Sequence, residues 1–242
     1  MQDASETFDN AAEEYESQLE QGISLSGESA DFFVEGRLAK LAELMESNSA
    51  VPGAILDFGC GIGNAAEGLL RLPKATSYLG YDCSEQSIEV ARGRELASGL
   101  TNRIDWTTDA ASLGKERFDL AYTSGVFHHI EPDQRDAELK RVFQALRPGG
   151  YFGFFENNPW NPGTRWVMSR IPFDRDAICL PIPEAKRRLR IAGFERVAVR
   201  TLFFFPRTLG WLRSCEGSLE GTPLGAQYLI LVRKPLGSPS AT

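Results

Sequence analysis

The stretch Ala54-Ile55-Leu56-Asp57-Phe58-Gly59-Cys60-Gly61-Ile62-Gly63-Asn64 constrains this chain more than any other. An apolar run ends in an acid and breaks at once into three glycines at alternate positions. Ala54 to Leu56 reads as a buried strand, and the glycines as the tight turn that leaves it. Glycine tolerates positive φ and lets backbone N–H groups come within reach of a ligand. In α/β sheets a turn of this kind is where an adenosine-containing molecule is held. The plainer alternative is a glycine-rich turn that holds nothing.

The spacing narrows the ligand. Dinucleotide sites use G-x-G-x-x-G, or a terminal Ala, because the last small residue lets a helix pack close beneath a pyrophosphate. Here Asn64 holds the sixth position, and the third glycine, Gly63, comes one residue early. The pattern is headed by Asp57, and an acid there suits an ammonium group better than a diphosphate. S-adenosylmethionine carries an ammonium and a sulfonium and no phosphate. Asp57, Gly59, Cys60, Gly61 and Asn64 are therefore read as one wall of its site.

Three further segments support that reading. Ser77 to Ser84 reads as a short strand ending in Asp82, with Cys83 beside it and Ser84 as the N-cap of a following helix. Asp82 lies about 20 residues past the glycines, where a carboxylate accepts from both ribose hydroxyls; capping the helix is its other reading. Ile104 to Ala110 ends in Asp109, placed to accept from an adenine amino group, with the Ala110 N–H opposite a ring nitrogen. Alone, that segment would be an ordinary surface turn. Phe118 to Ile130 gives a strand, then small residues including Ser124, then both histidines of the chain, His128 and His129. Leu139, Val142, Phe143 and Leu146 then fall on one helix face, Arg147-Pro148-Gly149-Gly150 closes that helix, and Tyr151 to Phe155 reads as the next buried strand.

In this order and spacing the four segments resemble the class I S-adenosylmethionine-dependent methyltransferases, through an LDxGCGxG first motif, an FD…HH fourth motif and an LRPGG turn. The resemblance covers roughly residues 54 to 156. It implies a Rossmann-like α/β fold: a seven-stranded, mostly parallel sheet with an antiparallel terminal hairpin and helices on both faces. Phe194 to Phe205 and Gln227 to Arg233 are the segments expected to form the hairpin. It also implies that residues 1–50, where Phe8, Tyr15, Phe32, Phe33 and Leu38 alternate with acids, form a helical cap over the cofactor on a 51–242 domain. Within the cap, Tyr15 would set an aromatic face near the sulfonium and Arg37 a guanidinium against the methionine carboxylate. The alternative is that Tyr15 packs and Arg37 is solvated.

Composition agrees with one large α/β domain: 242 residues, 42% of them hydrophobic, can build a full core. The net charge of −7 disfavours a nucleic-acid partner. No apolar run reaches the ~18 residues of a membrane span. The start of the chain lacks a signal-peptide apolar core, and Cys60, Cys83, Cys179 and Cys215 show no metal spacing, so a cytoplasmic monomer or homodimer with no metal is expected. Residues 235–242 read as a loose tail.

The chemistry expected is an in-line SN2 methyl transfer to a small-molecule O- or N-acceptor, in which the protein mainly positions the acceptor and excludes water. His128, His129 and Glu156, at the end of the fifth strand, are the candidate bases for an acceptor that must lose a proton. Residues 157–180 leave the carboxyl edge of the sheet carrying aromatics and cations and read as a lid, with Asn157, Trp160 and Trp166 facing the acceptor. A satellite core is the alternative for these aromatics. A second insert, at about 206–225, splits the terminal hairpin. Two rival functions remain on this reading: a non-catalytic S-adenosylmethionine-binding scaffold, and a nicotinamide-dependent oxidoreductase, which Asn64 argues against.

Overall fold

The computed structural model describes residues 27–94, 96, 97, 99–171 and 177–237. Strand β1 (Ala54–Phe58) lies inside the sheet and is buried toward both faces, as strands of a parallel sheet covered on two sides are. It pairs in parallel with β2 (Ser77–Tyr81) and with β4 (Phe118–Ser124). Outside these lie β3 (Ile104–Thr107) and β5 (Leu146–Asn157), also parallel. Strand β7 (Gln227–Arg233) runs antiparallel between β5 and β6 (Glu195–Leu202). The order is β3-β2-β1-β4-β5-β7-β6, the seven-stranded, mostly parallel sheet expected, with its antiparallel hairpin formed from the expected segments. The first hairpin strand ends at Leu202, where Phe203 takes a φ of +61° and turns the chain away.

Helices cover both faces. On one, α1 (Ala30–Ser47) and α2 (Ala66–Leu70) bury Leu38, Leu41, Leu44, Met45 and Leu69 against Ile55, Leu120, Phe155, Leu229 and Leu231. On the other, α4 (Arg135–Ala145) and α6 (Ile182–Ile191) bury Leu139, Val142, Ala185 and Leu189 against Leu56, Phe152, Phe154, Ile230 and Val232. Helix α3 (Glu85–Gly93) begins at Ser84, whose Oγ accepts from the Ser87 N–H at 3.1 Å, as expected. Helix α5 (Pro162–Met168) follows β5, and α7 (Glu216–Leu219) with a preceding 3₁₀ stretch (Arg207–Cys215) fills the hairpin insert. No described helix is long and apolar enough to cross a membrane.

One local expectation changes. Helix α4 ends at Ala145, before Arg147-Pro148-Gly149-Gly150, and Leu146 is already extended and paired with Phe118. Proline cannot continue a helix and pushes the residue before it out of the helical region. The next pair is Leu120 with Tyr151, so residues 147–150 bulge out of β5. Gly149 takes a φ of +83° there, and Asp119 secures the bulge by accepting from Arg147 Nη1 and from the Ala54 N–H at 2.7 and 2.8 Å.

The third glycine of the turn has a packing reason that spacing alone did not reveal. A Cβ on Gly63 would lie 2.4 Å from Trp106 Cη2, and one on Gly80 2.4 Å from Trp106 Cε3. The indole of β3 is thus wedged between two glycines, edge-on to Tyr78. Gly63→Ala, with φ at +81° and a steric clash, should destabilise the chain by about 2–4 kcal/mol in urea unfolding. Adding Trp106→Phe should recover part of that loss. A Gly63→Ala chain as stable as the parent would remove the wedge from the account.

Candidate functional site

Pleat parity assembles the site. Along a strand, alternate side chains share a face. Asp57 of β1 therefore points to the α1 side with Ile55, as do Tyr122 and Ser124 of β4, Asn157 of β5 and Gln227 of β7. These meet the glycine turn at the carboxyl ends of the parallel strands, around a cavity of about 470 Å³. Helix α1 closes one side with Arg37, Phe32 and Phe33. That volume lies within the usual range for small-molecule sites.

The end of the cavity at the glycine turn is polar and holds a buried charge. Asp57 is 2% exposed, and its Oδ2 accepts from the Tyr78 hydroxyl at 2.8 Å. Burial pushes its carboxyl up to about 7, with the Tyr78 hydrogen bond and the Arg37 guanidinium opposing and Asp82 adding to the rise. A carboxylate kept out of water without an adjoining cation is stabilised when a cation enters. Arg37 Nη1 donates to Gln227 Oε1 at 3.1 Å, while its Nε is buried with no hydrogen-bond partner among the described residues. The Tyr122 hydroxyl is likewise buried, close to Ser124 and Arg37 but at hydrogen-bonding geometry with neither. Gly61 has φ +52°, and a Cβ there would meet nothing within 4 Å, so the turn presents bare backbone to the cavity.

The two histidines sit in a turn after β4, not at the start of a helix. Glu156 is 1% exposed and faces away from α1. Its Oε1 accepts from the Val126 and Phe127 N–H groups at 3.0 and 2.6 Å, and its Oε2 meets His128 Nδ1 at 2.6 Å. A carboxylate can only accept here, which makes Nδ1 the protonated nitrogen and Nε2 the basic one. His128 is 4% exposed, its ring lies 4.1 Å from that of His129 at an interplanar angle of 47°, and both residues line the cavity. Arg135 holds this turn from behind, donating to Ile130 O at 2.8 Å and Ile178 O at 2.6 Å.

Beyond the histidines the cavity turns apolar. Phe203, Phe204 and Phe205 of the hairpin insert face Phe32 and Phe33 of α1, and Trp166, Val167, Met168 and Ile171 come from α5 and the residues after it. Phe33 and Phe203 lie 4.9 Å apart, ring to ring. The charges at this end are paired: Arg213 Nη2 meets Glu28 Oε1 at 2.7 Å, and its guanidinium covers the Phe32 ring at 4.6 Å. The lid is pinned to the stretch before β7, since Asn158 Nδ2 donates to Gly225 O and Thr164 Oγ1 to Ala226 O, each at 2.8 Å.

Of the residues singled out in the sequence, Arg37, Asp57, Gly59, Cys60, Gly61, Asn64, Ser124, His128, His129, Asn157 and Trp166 line this cavity. Asp82 lies at its edge, with Oδ2 accepting from the Gly61 N–H at 2.8 Å and Oδ1 from the Ser84 N–H at 3.0 Å. It therefore shapes the turn. Cys83 is exposed beside it. Asp109 caps a 3₁₀ turn through the Ala111 N–H, and Ala110 packs against the core; neither lines the cavity. Burial pushes the Cys60 thiol well up. Trp160 is half-exposed beside a separate cleft of about 220 Å³. Tyr15, Phe8 and residues 172–176 of the lid lie outside the described residues. Sequence reasoning missed Tyr78, Tyr122 and Gln227. Only Gln227 carried a signal, as the one polar residue opening the apolar run Tyr228 to Val232.

Comparisons with known proteins find methyltransferases. A methyltransferase-domain family model matches residues 56–152. The ubiquinone biosynthesis O-methyltransferase of Chelativorans sp. is 36% identical over 194 residues, 75% of this chain and 71% of that protein. The protein of the same name from Cereibacter sphaeroides is 30% identical over 188 residues, 72% of this chain and 71% of that one. Among solved structures, a SAM-dependent methyltransferase from Archaeoglobus fulgidus superposes with a TM-score of 0.64 at 17% identity, covering 85% of this chain and 95% of that one.

The raised Asp57 carboxyl has a consequence for stability. A folded-state value of about 7 lies above the ordinary unfolded one near ~3.9, so the stability this group confers is fully present below about pH 4 and is lost as pH rises through 7. On the order of 2–3 kcal/mol should be lost from this source between pH 5 and 8. Asp57→Asn, which still accepts from Tyr78, should escape that loss. Urea unfolding of both chains at the two pH values checks it, and an equal difference at pH 5 and 8 would be the contrary result.

Proposed function

This chain belongs to the class I S-adenosylmethionine-dependent methyltransferases, and we propose that its acceptor is a hydroxyl on a small, uncharged, largely apolar molecule, with an aromatic ring of the quinone type as first choice. The observation that carries this reading is the contrast between the two ends of one cavity. A buried acid and unpartnered polar atoms face the glycine turn, phenylalanines and paired charges form the far end, and a glutamate-held histidine lies between them. The relatives named for ubiquinone biosynthesis favour oxygen as the acceptor atom.

The residues present fit the cofactor. Asp57 takes the ammonium, which relieves its burial; the orphaned Arg37 Nε and Tyr122 hydroxyl suit a carboxylate; the open backbone at Gly61 leaves room for the adenosyl moiety. Asp82, which shapes the glycine turn, serves the ribose. When bound, S-adenosylmethionine supplies a methyl group already activated on a sulfonium. The protein's task is then to place the acceptor oxygen and take its proton. His128 accepts that proton at Nε2, Glu156 holds the ring and stabilises the imidazolium that results, and His129 packs the ring from the side. The phenylalanines and Trp166 exclude water and grip the ring of the acceptor. On this reading Glu156 is a positioning residue, and His128 is the catalytic one.

Two experiments test it. Gly61→Val should fold, at a backbone cost of about 1–2 kcal/mol, and lose measurable calorimetric affinity for S-adenosylhomocysteine, because the branched side chain fills the cradle. Undiminished affinity would place the cofactor elsewhere. With 2,3-dihydroxynaphthalene as acceptor probe, His128→Gln should lower kcat by about 10²–10⁴-fold, the usual range for a general base. Glu156→Gln should lower kcat less and shift the acid limb of the pH profile, because an amide neither fixes the tautomer nor stabilises the imidazolium. Activity of His128→Gln within a few-fold of the parent would exclude His128 as the base.

A further inference from the structure

Gln227 opens β7 directly opposite Asn157, the last residue of β5, and both point to the α1 face of the sheet. Its side-chain amide bridges two groups of the cavity wall: Arg37 Nη1 donates to Oε1 at 3.1 Å, and Nε2 donates to Asn157 Oδ1 at 3.2 Å. The direction of this chain is not arbitrary. A guanidinium only donates, so the face of the Gln227 amide turned to Arg37 must be the carbonyl. The NH2 is then turned to Asn157 and requires an acceptor, so Asn157 must offer Oδ1. That leaves the Asn157 NH2 without an acceptor among the described residues, on a side chain that lines the cavity.

We propose that Gln227 is a positioning residue that transmits the state of Arg37 to Asn157. It thereby fixes Asn157 as a hydrogen-bond donor toward the cavity. This rests on the reading above for what fills each end of the cavity. The buried Arg37 Nε and Tyr122 hydroxyl leave polar atoms to be satisfied by an anionic ligand group on one side of Gln227. The Asn157 donor waits on the other. Ordering the guanidinium orders the amide beside it, so an occupied cofactor end presents a better-defined donor to the acceptor.

The relay can be read without turnover. In ¹⁵N-labelled protein the side-chain amide pair of Asn157, identified by its absence in Asn157→Leu, should shift when S-adenosylhomocysteine saturates the wild-type chain. In Gln227→Leu that response should vanish, and the calorimetric Kd for S-adenosylhomocysteine should rise about tenfold, as expected for losing a hydrogen bond to a charged group. Gln227→Glu, nearly isosteric and tolerant of the same fold, tests the orientation: its carboxylate only accepts, so the Asn157 amide must turn and donate, and its NH2 protons should move downfield and exchange more slowly. If the Gly61 backbone amide responds to S-adenosylhomocysteine while Asn157 does not, or if Asn157 responds equally in Gln227→Leu, the relay is wrong and the cofactor assignment stands. Unmoved Asn157 protons in Gln227→Glu overturn the orientation. A wild-type chain in which neither Gly61 nor Asn157 responds overturns the cofactor assignment and the relay with it.

Discussion

The burial of one carboxylate organises this molecule. Asp57 lies next to last in β1, where a sheet covered on both faces has no water to offer, and among the described residues the Tyr78 hydroxyl alone bonds to it directly. Its neighbours answer that charge in part: Arg37 from α1 opposes it at a distance, while Asp82 at the end of the next strand adds to it. The glycine turn follows immediately, so the chain passes from the costliest charge in the core to exposed backbone within four residues. Such a site gains most from a ligand that brings a cation to Asp57 and an anion to Arg37. A zwitterionic amino-acid group is the simplest species that does both.

The parts of this site that are local in the chain were legible in the sequence. The glycine turn, Asp57 at its head, Ser84 as a cap and the hairpin strands all rest on short-range pattern, and they fold as that pattern implies. Parts set by contacts between distant segments were not legible. Gln227 reaches Arg37 across 190 positions, and Phe203 finds Phe33 across a similar gap. Neither partner carries any mark of the other. Spacing marks Gly63 only as the third glycine of the turn, whereas its lack of a side chain accommodates an indole from β3. In the LRPGG turn the sequence signals that the helix closes, but the apolar side chain of Leu146 suits either element. The proline two residues on decides for the strand.

The end of β5 shows how one strand serves two tasks. Glu156 and Asn157 are adjacent, so the pleat sends them to opposite faces. Glu156 reaches under the sheet's edge and gathers the Val126 and Phe127 N–H groups and the His128 ring. Asn157 faces the cavity and is oriented through β7. The proposed base and the proposed acceptor-binding donor are thus fixed by separate hydrogen-bond sets that share only the backbone between two consecutive residues. A change in one set need not disturb the other.

That separation bears on how the acceptor end can vary while the chemistry stays constant. The histidine turn is secured from the core side, by Glu156 and by Arg135, which ties it to the Ile178 carbonyl. The apolar end is built from three segments outside the sheet: the first turns of α1, helix α5 and the hairpin insert. These are joined to one another by contacts such as Arg213 with Glu28 and Thr164 with Ala226. Substitutions among Phe32, Phe203, Phe204 and Trp166 therefore reshape the space for an acceptor without loosening the dyad, because none of these side chains packs between Glu156 and His128. Altering Gln227 is different in kind. It sits where the sheet, α1 and the acceptor wall meet, so its amide is the point at which the constant half of the site constrains the variable half.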